Sequence, residues 1–345
     1  MSAAAPRFLI EERGTRRDLD AFVVAARFDP TGKRAAFALG DGTLRLLDPA
    51  APEKWREAKA HDGAILTLSA DAIPGGFVSG GDDGRACRVA DDGTVRELAS
   101  FGMKWVEQSA SWAGERGKGV IGLGVGKNVY LFDAAGRKLR ELPHPSTVTG
   151  LAFDAKGKRI AASHYNGATL WFVASDSPRR LEWKGSHIGV ALHPAAEAVV
   201  TAMQENALHG WALPDGKHMR MSGYPGKTQS MSFSRTGKWL ATSGSDAMVL
   251  WPFFGGGPMG KAPMELAGGD GIACTRVAFN PRDDIVAGGF ADGLVVIADA
   301  NSSRILPVAP ATGSPVSALA WSPDGAFLAF GTEAGMAVML DFRPR

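Results

Sequence analysis

Eight times along this chain an alternating apolar strand ends in an aromatic residue or its substitute. These ends fall at Phe28, Ala70, Trp112, Phe153, His193, Phe233, Phe279 and Trp321, in steps of 42, 42, 41, 40, 40, 46 and 42 residues. A fixed period near 40 marks an array of small units, none of which can bury its apolar face alone. The clearest copies are VSALAWSPDGAFLAFGTEAGMAVMLD (316–341), VTGLAFDAKGKRIAASHYNGATLWF (148–172) and TQSMSFSRTGKWLATSGSDAMVLW (228–251). In each, an apolar strand runs into a turn carrying Pro, Asp or Gly. A second strand of small residues then reaches a polar turn, and a third strand follows. A weaker fourth strand fills the gap before the next copy.

Four short strands per period describe one blade of a β-propeller, so the expected fold is all-β, a single domain over residues 1–345. At about 40 residues per blade, eight blades nearly exhaust the chain, and seven is the alternative. After Asp341 too few residues remain for an outer strand, whereas residues 7–13 (RFLIEER) read as an orphan strand ahead of the first repeat. The expectation is that they supply the missing outer strand and close the ring, removing the exposed sheet edges of an open array. Segment 253–265 (FFGGGPMGKAPME) accounts for the one long repeat, and its Gly and Pro residues cannot continue a ladder. It is expected as an inserted loop.

The V-x-x-L-A-F-x-P-x-G-x-x-L-A run and the turn and strand that follow it resemble the WD-repeat family of β-propellers, over almost the whole chain. No Trp-Asp or Gly-His dipeptide occurs. Trp171, Trp211 and Trp251 stand 40 residues apart where that family places its tryptophan, but Phe172, Ala212 and Pro252 follow them. Conversely, Asp48, Asp133, Asp299 and Asp341 keep the aspartate. The resemblance implies a buried hydrogen-bonded network in each blade. His61, Ser79 and Asp82 or Asp83 hold the corresponding places in the second repeat, and His144, Ser163, Asn166 and Trp171 in the fourth.

Composition narrows the function classes. A net charge of +2 is nearly neutral, and basic groups such as Arg16, Arg17, Arg179 and Arg180 are interleaved with acids. No phosphate-tracking stripe forms, so nucleic acid is not an expected partner. No stretch approaches membrane-spanning length, and the first 17 residues hold no apolar core behind a basic start. The expectation is a cytoplasmic protein with no membrane partner. Cys87 and Cys274 fall in repeats that are not neighbours and are expected as free thiols.

Motifs that suggest chemistry fail on context. Residues 117–122 (GKGVIG) satisfy G-x-G-x-x-G, but a phosphate cradle needs a helix next and a strand pattern follows. Neither G-x-S-x-G nor H-E-x-x-H occurs. The chain therefore reads as non-enzymatic, with no catalytic, cofactor or metal residues. Two other readings stand beside this one. Histidines gather in repeats four and five, so His144, His164 and His187 are a candidate ion site, as part of a metal-binding or metal-regulated propeller. The weakest reading is a quinone-dependent eight-bladed dehydrogenase.

What the resemblance implies is an interaction scaffold that receives a protein or peptide on the face bearing the d-to-a and b-to-c loops, strands a to d running from inside outward. Residues just ahead of each inner strand should ring that face: Phe22, Lys104, Trp105, Glu107, Thr147, His187, Lys227, Gln229 and Arg276. They differ chemically while the strand positions around them repeat, which is where specificity can be written. Trp105 and Arg276 are the expected anchors.

Overall fold

The computed structural model describes residues 7–344. Apart from one helical turn, Ile10–Arg13, and a short 3-10 turn, Glu115–Gly117, its regular structure is antiparallel strand. The first repeat shows the plan: Val23–Phe28 pairs with Ala35–Leu39, that with Thr43–Leu47, and that with Trp55–Lys59. Burial follows position in the blade. The b strand Ala35–Leu39 is buried at every residue, whereas the outer strand Trp55–Lys59 is largely exposed. This is why b strands read as runs of Ala, Gly, Val and Phe, and d strands as charged and weakly patterned.

The strands hydrogen-bond into seven sheets, six of four strands and one of six. The six-stranded sheet carries repeats four and five together. Its strand Arg159–Phe172 folds back at Asn166 and Gly167 (φ 67° and 140°), so that Val173 N–H reaches Lys158 O at 2.9 Å. The first half of that strand pairs with Gly150–Phe153, the second with the start of Pro178–Leu192. The latter strand then runs on without a loop to become the inner strand of repeat five, paired with Ala198–Met203. Counted as continuous sheets the blades are seven, the alternative expected from sequence. Counted as four-strand repeats they are eight, because the fused sheet contains two.

Inner strands lie side by side around the axis and are stitched by hydroxyls. Thr149 Oγ1 donates to His187 O, Ser230 Oγ to Val277 O (3.1 Å) and Thr275 Oγ1 to Val316 O (2.7 Å). Ser317 Oγ donates to Val23 O at 2.6 Å, joining the last inner strand to the first. The cores lie between neighbouring blades. Phe37, Leu39 and Val23 of the first repeat pack with Phe327, Ala329 and Met339 of the last.

An N-terminal strand closes the ring, but residues 7–13 do not form it. Gly14–Asp18 pairs with Met336–Asp341, from Gly14↔Leu340 to Asp18↔Met336, while Ile10–Arg13 forms the helical turn. Leu9 and Ile10 pack against the core between repeats seven and eight, and Leu9 N–H bonds Pro307 O at 3.2 Å. The apolar residues of RFLIEER thus strap the seam. The ladder uses the polar GTRRD, because an outer strand faces water. The inserted loop runs from 253 to 263, between Met248–Pro252 and Met264–Leu266. Met264 and Glu265, expected in the loop, begin the outer strand. Gly255, Gly256 and Gly257 all have positive φ (61°, 90°, 101°), which suits glycine.

Candidate interaction face

In an antiparallel blade the start of strand a, the end of b, the start of c and the end of d share one end. The d-to-a and b-to-c connections therefore form one face. Its b-to-c turns are tied by their own side chains: Asp41 accepts Thr43 N–H at 2.9 Å and Asp292 accepts Leu294 N–H at 2.9 Å. Gly42 (φ 84°) completes one such turn, and a Cβ there would lie 2.3 Å from Gly63 O in the next repeat.

The d-to-a loop between repeats two and three carries the most exposed large apolar side chain among the described residues. Two backbone bonds pin its ends, Phe101 N–H to Gly84 O (2.8 Å) and Val106 N–H to Gly81 O (3.1 Å), and Val106 is buried. Between them Met103 is 95% exposed and Trp105 56% exposed, with Lys104 exposed between the two. Trp105 is therefore not packed between blades. Met103 was missed by the sequence reading, which gave no weight to a methionine lying outside any strand pattern.

Phe22 is exposed ahead of the first inner strand, and Thr147 is exposed ahead of the fourth. Glu107 is half-buried. Lys227 and Gln229 are exposed and line a cavity of about 560 Å³ between repeats six and seven, with Gly244, Ser245, Asp246 and Ala273. Arg276 joins them. Its Nη1 donates to Gln229 Oε1 (3.1 Å) and Thr275 O (2.9 Å), and its Nε to Ser317 O (2.7 Å). Burial lowers the Arg276 guanidinium from its ordinary pKa. His187 does not belong to the face. It is fully buried, with Nδ1 2.7 Å from Thr201 Oγ1 and Nε2 2.9 Å from Trp183 O. It lies within the strand that fuses repeats four and five, where no loop exists to present it.

Beneath the face lie the polar networks. In repeat two, His61 Nε2 meets Ser79 Oγ at 2.8 Å and its Nδ1 meets Asp83 Oδ1 at 2.9 Å. Burial alone would raise the Asp83 carboxyl, but hydrogen bonds from His61, Arg85 and the Asp62 amide outweigh it and bring the pKa to about 2. The arrangement has the polarity of a nucleophile and base, yet Ser79 and His61 are wholly buried, so no substrate reaches the hydroxyl. Repeat four differs from the expected network. Trp171 Nε1 donates to His144 Nε2 (3.1 Å), but Ser163 bonds Thr149 (3.0 Å) and Asn166 accepts Gly185 N–H (3.2 Å). In repeat six a tyrosine takes the histidine's place, with Tyr224 OH 2.6 Å from both Thr242 Oγ1 and Trp251 Nε1.

The candidate ion ligands have other partners. His164 bonds Thr169 Oγ1 (2.8 Å) and Tyr165 O (2.9 Å), and His144 receives Trp171. Among the described residues no group of three or more His, Cys, Asp or Glu is arranged to hold a metal ion. Residues Gly119–Val125, holding most of the G-x-G-x-x-G match, form a strand. Cys87 and Cys274 are free and buried, and burial pushes their thiols up to about 11 and about 12.

A closed all-β ring with His/Tyr, Ser/Thr and Trp or Asp networks inside its blades defines a propeller with loops on its two faces. The sequence pattern of the Anaphase-promoting complex subunit 4 WD40 domain matches residues 277–343. Telomerase protein component 1 of Mus musculus is 24% identical over 336 residues, 92% of this chain and 12% of that protein. Autophagy-related protein 16 of Arabidopsis thaliana is 22% identical over 304 residues, 86% of this chain and 59% of that protein. The chain thus spans less than two thirds of either relative. The crystal structure of the computationally designed Ika8 protein shares the fold, with a TM-score of 0.75 and 19% identity, covering 94% of this chain and 98% of that one. The chain is a β-propeller whose sequence is similar to that of WD-repeat proteins.

Proposed function

We propose that this propeller is a non-enzymatic scaffold that binds a protein or peptide on the face of the d-to-a and b-to-c loops. The observation that carries the reading is the loop tip Met103-Lys104-Trp105, whose two large apolar side chains stand in solvent on a backbone pinned at both ends. Exposed apolar groups on a rigid frame mark contact sites, and an aromatic that is already positioned loses little entropy on binding. The cavity at Lys227 and Gln229 offers a polar second contact on the same face.

The experiment is affinity capture from the native cell with the wild-type chain and the Trp105→Ala, Lys227→Glu double variant as baits. Partners recovered by the wild type should be lost with the variant, while its stability stays within about 0.5 kcal/mol, as for surface changes away from packing. Equal recovery by both baits would refute the placement of the site.

A further inference from the structure

The axial channel contains two cations without a counter-ion. Arg27 lies on the inner strand Val23–Phe28 and Arg276 on the inner strand Cys274–Phe279. Between them stands the inner strand Val316–Trp321 of the last repeat. Arg276 crosses toward it, its Nε donating to Ser317 O at 2.7 Å. Ser317 in turn holds Val23 O at 2.6 Å, so the Arg276 guanidinium is carried to the strand that neighbours Arg27. Arg27 donates to Ala26 O of its own strand at 2.8 Å. Carbonyl and amide oxygens are the only hydrogen-bond acceptors these two guanidiniums have among the described residues, and neither forms an ion pair. The charge of Glu333, exposed on the b-to-c turn of the last repeat, acts on Arg276 without forming an ion pair. Arg27 is in contact with solvent, yet desolvation lowers its pKa, and the like charge of Arg276 lowers it further.

Two like charges on inner strands separated by a single strand repel each other, and a cation without an ion-pair partner gains from an anion beside it. An oxyanion between them would remove both penalties, and guanidinium forks match its geometry. We propose that the channel binds an oxyanion between Arg27 and Arg276, either a free anion such as phosphate or the carboxylate of an acidic side chain entering from the mouth. The site lies on the inner strands, shares Arg276 with the cavity at Gln229 on the loop face, and does not require a partner on that face.

The test is isothermal titration of the full chain with inorganic phosphate at constant ionic strength, then with a hexaglutamate peptide. Saturable binding of about one phosphate per chain is expected, weakened roughly tenfold or more by Arg27→Gln or by Arg276→Gln, as for loss of a hydrogen bond to a charged group. Lys118→Gln, an exposed residue of the a-to-b connection on the opposite face, should leave binding unchanged. Hexaglutamate that displaces phosphate identifies a partner's side chain as the anion's source. Phosphate binding that the peptide does not displace identifies a free anion. Arg276→Gln removes bonds between strands, so its melting temperature is measured first. Arg27→Gln, which loses one bond within its own strand, keeps the test valid if the other variant fails to fold. No saturable binding of either probe, or binding indifferent to Arg27→Gln, would overturn the site.

Discussion

Histidines carry the pH dependence of this protein. Burial lowers His144 to about 4, with the His164 charge adding to it, and burial lowers His209 to about 3, with His218, His187 and Arg220 adding to it. The folded state therefore holds both rings neutral. The unfolded chain binds their protons below the ordinary histidine pKa of about 6.5, so stability is fully present above that pH and is lost as pH falls toward 4. The melting temperature should decline through this window, and His144→Gln with His209→Gln should flatten the decline. An unchanged slope in the double variant would assign the dependence to carboxylates instead. The family resemblance implied a blade network joining His144 to Trp171, and the Trp171 Nε1 to His144 Nε2 bond is that pair. The sequence reading misplaced His187, because a strand running on through the expected loop leaves no turn residue to mark it.

Closure is decided at the level of one strand. Deleting residues 1–18 unpairs Met336–Asp341, exposes an edge and opens the seam packed by Leu9 and Ile10. A large fall in melting temperature or aggregation is expected. Deleting residues 1–13 leaves Gly14–Asp18 in place and should cost less, since it removes the strap but not the ladder. Equal melting of the two truncations would show that the strand contributes nothing. The sequence revealed that an N-terminal strand was needed, through the shortage of residues after Asp341. It did not reveal which residues, because outer strands are solvent-facing and lack the alternation that identifies a, b and c strands. The inserted loop, by contrast, was legible from the one long repeat and from its glycines and prolines, and only its last two residues were assigned wrongly.

The described residues form a ring whose first and last strands pair on one sheet, so the ring does not depend on where the chain is opened. Opening the chain between Gly256 and Gly257 and joining residue 344 to residue 7 by a short Gly/Ser linker should give a permutant that folds, with a melting temperature close to that of the natural order. Failure to fold would mean that the inserted loop is required for the ring. The period together with the strand-and-turn pattern inside each copy determined the all-β propeller, because a unit of about 40 residues with an exposed apolar face must stack on its copies. It also determined which residues turn, since Gly and Pro conformations are local. Tertiary structure alone decided that repeats four and five share one continuous sheet. It also decided that Gln229 and Arg276 meet beside Lys227 while Trp105 stands apart, and that Arg27 and Arg276 lie on inner strands separated by a single strand. Those outcomes depend on distances between blades, which no local pattern encodes, because each repeat specifies its own strands and only the closed ring specifies what faces the axis.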